Sequence, residues 1–213
     1  MRRRSFLALG AATGVGSAIA GAGAQPADAQ PVVVPPGSDP LEQALFSPAV
    51  PITLPDLGAA LSRARADFRA ARYNRLRTSL PALLSGAEAE RDAAVSGLRR
   101  EKAHAALARA HVLATELAVK DSADYAWVTA DRALTAARAS GSPVVLGEAA
   151  RVLAITMRRS GRITSAVRLL TSTAAGLDDS HTADALAVRT SLLLTAACTA
   201  ATGGAGGAAY DQL

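Results

Sequence analysis

The sequence predicts an all-α fold: a right-handed α-solenoid of antiparallel helix pairs, about seven to eight helices long, with its last repeat truncated. Three observations predict it. First, two stretches align on their small and apolar positions, ADYAWVTADRALTAARASGSP (residues 123–143) and LAITMRRSGRITSAVRLLTSTAAGL (residues 153–177). Ala130 and Leu134 of the first fall on Ala166 and Leu170 of the second, 36 residues apart in both cases, and a period in the thirties marks stacked helix-turn-helix units. Second, the 213 residues are 50% hydrophobic but only 3% aromatic, so the core is built of Ala, Leu and Val, and small residues at helix crossings suit a stack. Third, there is no alternating Val/Ile/Thr stretch to form a sheet.

Such an array is tetratricopeptide-like. The positions expected to carry the packing between repeats are Leu117, Ala130, Leu134 and Ala137 in the earlier unit, and Leu153, Gly161, Ala166 and Leu170 in the later one.

Residues 1–29 read as a twin-arginine-type signal peptide. A charged start precedes a Gly/Ala-rich run, and Ala22-Gly23-Ala24 and Ala27-Asp28-Ala29 offer cleavage sites. Arg3, Arg4, Phe6 and Leu7 form the receptor-read address. Glycines at 10, 14, 16, 21 and 23 interrupt the apolar run, so no stable membrane span is expected. If Met1 is the true start, the chain is expected to be exported by the twin-arginine pathway. If these residues are instead a linker behind a missed upstream start, it is expected to be cytoplasmic. Residues 30–55 read as a Pro-rich linker, extended because proline forbids helix. Within it, LEQALFS (residues 41–47) forms one short, poorly ordered turn of helix at most.

The helical domain spans residues 56–213. Helix 56–72 starts at Asp56 after a proline, with Leu57, Leu61, Ala64 and Phe68 on one face. Its partner, 73–90, turns Leu76, Leu80, Leu83 and Leu84 inward, and Pro81 is expected to kink or divide it. A long helix over 98–120 is followed by 122–139, for which Asp121 and Ser122 are the expected caps and Trp127 a core residue. Ser142-Pro143 opens the helix over 143–159 as an N-cap with proline at the first position. Gly161 makes the tight turn into 163–175, residues 177–180 form a loop, and 182–201 is the next helix. Gly203-Gly204 then repeats the role of Gly161, and Ala205 opens an eighth helix without the polar outer face of a terminal repeat.

The formal net charge is +5, of which the first 29 residues supply two, leaving +3. That balance is small and scattered, so direct nucleic-acid binding by this chain is not expected. Arg63, Arg65, Arg69, Arg72, Arg75 and Arg77 crowd the first helix pair. Without interleaved aromatics they read as a solvated face with acidic neighbours rather than a phosphate site. Cys198 is the single cysteine, which excludes an internal disulfide, and in LLLTAACTAA it reads as a buried small residue. His104 and His111 are seven apart, poorly spaced for a metal pair, and read as packed or surface histidines. Asp124, Asp131 and Glu148 are isolated acids. No phosphate loop, glycine fingerprint, HExxH or nucleophile elbow is present. No enzyme activity, cofactor or metal is expected.

Taken together, ARY…LP…LL within residues 71–84, Tyr125-Ala126-Trp127…Ala130-Asp131-Arg132-Ala133, and Leu153-Ala154…Arg158-Arg159-Ser160-Gly161-Arg162 resemble the carboxyl-terminal half of actinobacterial helix-turn-helix regulators of the XRE type. The resemblance covers about residues 40–213. It implies a region that senses a ligand or dimerises, joined in that family to an amino-terminal DNA-binding domain that has no counterpart in this sequence. Two readings follow: the sensor or interaction part of a transcriptional regulator, or an exported interaction protein on the same scaffold. In both, a protein or peptide partner, or a small effector, is expected on the concave face lined by the first helix of each pair. Arg99, His104, Glu148, Arg151 and Arg158 are the residues assigned to that face, and a homodimer is compatible with either reading.

Overall fold

The computed structural model describes residues 39–46 and 57–210, the side chains of Phe46 and of residues 205–210 excepted. Arg3, Arg4, Phe6 and Leu7 of the export address, with the rest of the signal segment and with residues 30–38 and 47–55 of the linker, lie outside the described residues. Within those residues the chain is all-α, with eight helices and no strand. They are α1 (Pro40–Phe46), α2 (Leu57–Arg69), α3 (Tyr73–Ala93) and α4 (Gly97–Asp121), then α5 (Ala126–Ala139), α6 (Pro143–Arg159), α7 (Ile163–Ala175) and α8 (Ala183–Tyr210). From α2 onward each helix packs on the next, and α2, α4, α6 and α8 also pack on one another in succession. The first helices of successive hairpins are therefore side by side.

Three hairpins close in the same way. Ala71, Ser122 and Gly161 stand just past a helix end at φ of 55°, 56° and 74°. The following N–H then reaches back across the turn: Arg72 to the Asp67 carbonyl, Ala123 to Ala118, and Arg162 to Met157, each at 2.9 Å. This left-handed cap satisfies carbonyls that the helix end leaves open. Ser122 therefore ends α4 and does not cap α5, which begins four residues later at Ala126. Ser142 does act as expected, its hydroxyl accepting from the Val145 N–H at 3.4 Å with Pro143 at the first helical position.

Two sequence expectations are corrected, and a third, that Pro81 kinks or divides its helix, loses its second alternative because the helix is not divided. The segment around Leu41 is a two-turn helix packed on α3, with Leu41 and Leu45 buried. A seven-residue helix is unstable alone, and burial of two leucines at roughly 1.5–3 kcal/mol each supplies what propensity does not. Pro81 sits inside an undivided α3. Its missing backbone bond and ring clash cost about 3 kcal/mol, which the burial of Leu76, Leu80, Leu83 and Leu84 along one face outweighs. Gly203-Gly204 makes no turn, and α8 runs through both to Tyr210. Neither glycine has the positive φ of Gly161. Gly203 instead marks a close approach, since a Cβ there would lie 2.8 Å from Cγ2 of Ile163 on α7.

The buried side chains form two clusters rather than one unbroken interior. The larger runs from Leu41 through α3, α4 and α5 to Val145, Ala149 and Val152 of α6. The smaller holds Ala154, Ala166, Leu170, Leu177 and Leu192. The positions assigned to repeat packing fall as follows: Leu117, Ala130, Leu134, Ala137, Ala166 and Leu170 are buried, Leu153 is half-buried against the larger cluster, and Gly161 is in the exposed turn.

Within the described residues, 183–204 form the one stretch of helix long and apolar enough to cross a membrane. Its Ala185, Leu192 and Ala196 are buried in the smaller cluster with side chains of α6 and α7. A Cβ on Gly147 of α6 would lie 2.5 Å from Cγ1 of Val188, so α6 and α8 are in close backbone approach.

Candidate ligand-binding face

The row α2, α4, α6 carries charge at helical spacing. Arg109, Glu116 and Lys120 succeed one another along α4, and Glu148, Arg151, Ile155 and Arg159 along α6. Intervals of three, four and seven bring side chains to one side of a helix. Arg65 and Arg69 join them from α2. Glu116 is the centre of this arrangement. Its carboxylate, 9% exposed, accepts from Nη1 of Arg65 and from Nη2 of Arg151, linking α2 to α4 and α4 to α6. Beside it Arg109 holds Glu148 at two points, Nε to Oε2 at 2.9 Å and Nη2 to Oε1 at 3.4 Å. Charge-assisted and two-point bonds of this kind fix geometry as well as adding energy.

Two adjoining depressions flank the Arg65–Glu116–Arg151 bridge. An open groove of about 960 Å³ is lined by Leu61, Arg65, Arg69, Arg109, Leu113 and Glu148, among others. A cavity of about 320 Å³ has Phe68, Val119, Val152 and Ile155 as its apolar lining and Glu116, Lys120, Arg151 and Arg159 as its charged one. Together the two are lined by six cations and two carboxylates. The excess of four exceeds the +3 that the chain carries outside its first 29 residues. The positive charge is therefore gathered here, not scattered as its modest total suggested.

The assigned face is only partly assembled. Glu148 and Arg151 line the groove and the cavity. Arg99 lies at the start of α4, donating from Nε to Oε1 of Glu90 at 2.9 Å, and Arg158 is half-buried and forms no ion pair among the described residues. His104 is half-buried on α4, its Nδ1 without a partner, and desolvation followed by the charges of Arg100 and Arg91 lowers its pKa. Sequence reasoning missed Arg109, Glu116, Lys120 and Arg159, and read Arg65 only as part of a solvated arginine face. The recurrence of Arg109 and Glu116 at a seven-residue interval, two turns apart on one helix, was the available signal.

Three other residues differ from expectation. Trp127 is half-exposed rather than core: its Nε1 donates to Oγ of Ser160 at 3.3 Å, and the Arg162 guanidinium lies 5.2 Å from its ring centre. It bridges the turns of two hairpins. Cys198 is exposed on α8. Glu148 is paired, not isolated. The arginine-rich first pair does meet acids, with Arg72 and Arg75 on the buried Asp67 and Arg77 on Asp121. His111 is buried, and desolvation, with Arg132 and Arg91 nearby, pushes its pKa down to about 3. Among the described residues no group of His, Cys, Asp and Glu could hold a metal ion.

No family model, curated protein or solved structure matches this chain.

Proposed function

We propose that this chain is a non-enzymatic, tetratricopeptide-like binding module whose α2–α4–α6 face receives a peptide segment or a small effector, and that it serves as the sensor or interaction part of a transcriptional regulator. The observation that carries this reading is the cross-linked row Arg65–Glu116–Arg151, beside Arg109–Glu148, with a cavity on one side and a groove on the other. The ion pairs hold three helices in register, so the face is preorganised, and preorganisation lowers the ordering cost of binding. A ligand bound there would stabilise the array by mass action, about 2.7 kcal/mol at a hundred times its Kd. The right-handed curvature of a tetratricopeptide stack makes such a face concave.

The test is an array of 15-residue peptides probed with the full chain and with an Arg109→Ala/Arg151→Ala variant of unchanged helicity. Peptides bound by the first and lost by the second support the reading. Peptides bound equally by both place recognition elsewhere and sink it.

A second reading is an exported interaction protein on the same scaffold, favoured by Arg3-Arg4-Ser5-Phe6-Leu7. Replacing Arg3 and Arg4 by lysine should then hold the protein inside the cell, and unaltered secretion would exclude the twin-arginine route. A helix-turn-helix encoded in phase upstream of Met1 would favour the regulator.

A further inference from the structure

Within the proposed binding face the two depressions differ in kind. The groove is open and wide, and its Arg109 is already held by Glu148, whereas the smaller cavity combines an apolar lining with two cations, Lys120 and Arg159, that no carboxylate pairs among the described residues. Glu116 is the single carboxylate lining it, and it is already taken up by Arg65 and Arg151. Two guanidinium groups against one carboxylate leave one positive charge over at that point. Lys120 and Arg159 add two more, and neither is ion-paired among the described residues. The Lys120 ammonium rests 5.9 Å from the Tyr73 ring centre. Arg159 donates from Nη2 to the Ser122 hydroxyl at 2.8 Å. Both side chains are exposed, so each can turn toward an arriving anion without breaking an ion pair. Phe68, Val119 and Ile155 are half-buried and Val152 is buried, which leaves an apolar surface below the charges.

We propose that this cavity is a site for an aliphatic monocarboxylate, its carboxylate met by Arg159 and Lys120 and its hydrocarbon laid on Phe68, Val152 and Ile155. One anionic head fits a place with unneutralised cations and one occupied acid. A chain of roughly eight carbons fits a volume at the lower end of small-molecule sites. Guanidinium meets a planar carboxylate at two points, and burying the tail favours binding by about 0.8 kcal/mol per CH₂. The same chemistry is offered by a free fatty acid or by the carboxyl terminus of a peptide ending in leucine. This inference rests on the α2–α4–α6 face being the binding face.

The experiment is calorimetric titration of the full chain with octanoate, octanamide and acetate, and with a peptide ending in leucine as the free acid and as the amide. Lys120→Ala/Arg159→Ala is the variant, both positions being exposed, with helicity checked by circular dichroism. Octanoate is expected to bind, with octanamide, acetate and the variant each weaker by about tenfold or more, the loss of one charged hydrogen bond or of the tail. Acid-dependent binding of the peptide, weakened in the variant while octanoate stays silent, supports the site and names the peptide terminus as its source. Equal binding of octanoate and octanamide, octanoate binding unchanged in the variant, or silence from both octanoate and the free-acid peptide overturns the proposal. If array peptides still bind through Arg109 and Arg151 in that last case, the broader binding-face reading survives and this inference alone fails.

Discussion

The Tyr125 hydroxyl donates to Oδ2 of Asp39 at 2.7 Å, tying the turn between α4 and α5 to the start of α1 across 86 positions of chain. The other oxygen of the same carboxylate accepts from the Leu41 N–H at 2.9 Å, so one side chain caps α1 and anchors it. Burial, with the hydrogen bond to Asp39 next, raises the Tyr125 pKa above its ordinary value. Tyr125→Phe removes one hydrogen bond to a charged acceptor and is expected to cost about 1.5–3 kcal/mol. Urea unfolding measures the loss, and an unchanged midpoint would show that the bond contributes nothing in solution.

Leu41 tests whether α1 belongs to the fold. It is fully buried in the larger cluster, and Leu41→Ala is expected to destabilise by about 2–5 kcal/mol. Leu194, 64% exposed on α8, is the control, and Leu194→Ala should stay within about 0.5 kcal/mol. Equal effects in thermal melts would mean that α1 is not packed as described.

The glycines of α8 separate two roles. Gly204 has open space around its Cβ position, so Gly204→Ala should raise stability by up to about 1 kcal/mol through helix propensity. Gly203→Ala should lose that gain, because overpacking against Ile163 costs about 1–3 kcal/mol. Adding Ile163→Ala should make Gly203→Ala less harmful than it is in the native background. Gly161→Ala, at φ 74°, should cost about 1–2 kcal/mol from left-handed strain alone.

His111 gives the protein a pH dependence of definite sign. Its folded pKa, about 3, lies below the ordinary 6.5. The unfolded chain therefore binds the proton more readily, and the stability held by neutral His111 is complete above pH 6.5 and falls as pH drops toward 3. Denaturant midpoints at pH 7, 5.5 and 4.5 should decline in the native chain and decline less in His111→Gln. Parallel declines in the two would remove His111 as the cause.

Glu116→Gln leaves two guanidinium groups facing a neutral amide. Because both arginines are partly exposed, a loss of about 1–3 kcal/mol is expected. It should grow smaller at high salt, which screens the repulsion between the arginines. A salt-independent loss would point to packing instead.

Local chemistry made some elements legible and concealed others. The bounds of α6 and α7 follow from Ser142-Pro143 and Gly161, each of which has one backbone role. Asp39-Pro40 carries the same N-cap and proline pair as Ser142-Pro143, but the prolines around it masked two buried leucines. Ser122 resembles an N-cap by type, and only its positive φ reveals a helix end. A glycine pair reads as a turn from composition, while the crossing with Ile163 that retains Gly203 is a tertiary fact. Of the ion-paired α2–α4–α6 face only Glu148 and Arg151 were legible. Partners such as Arg65, Glu116 and Arg151 are 51 and 35 residues apart, and no local pattern specifies which helices become neighbours.

The division of the buried side chains at α6 makes that helix a party wall. Val145, Ala149 and Val152 serve the rooms on one side and Ala154 the other. Tension applied at the carboxyl end would draw off α8 and then α7 while the ionic lattice of α2, α4 and α6 stayed closed. A lineage could therefore lengthen, shorten or replace that end, and the α2–α4–α6 face would be left as it was.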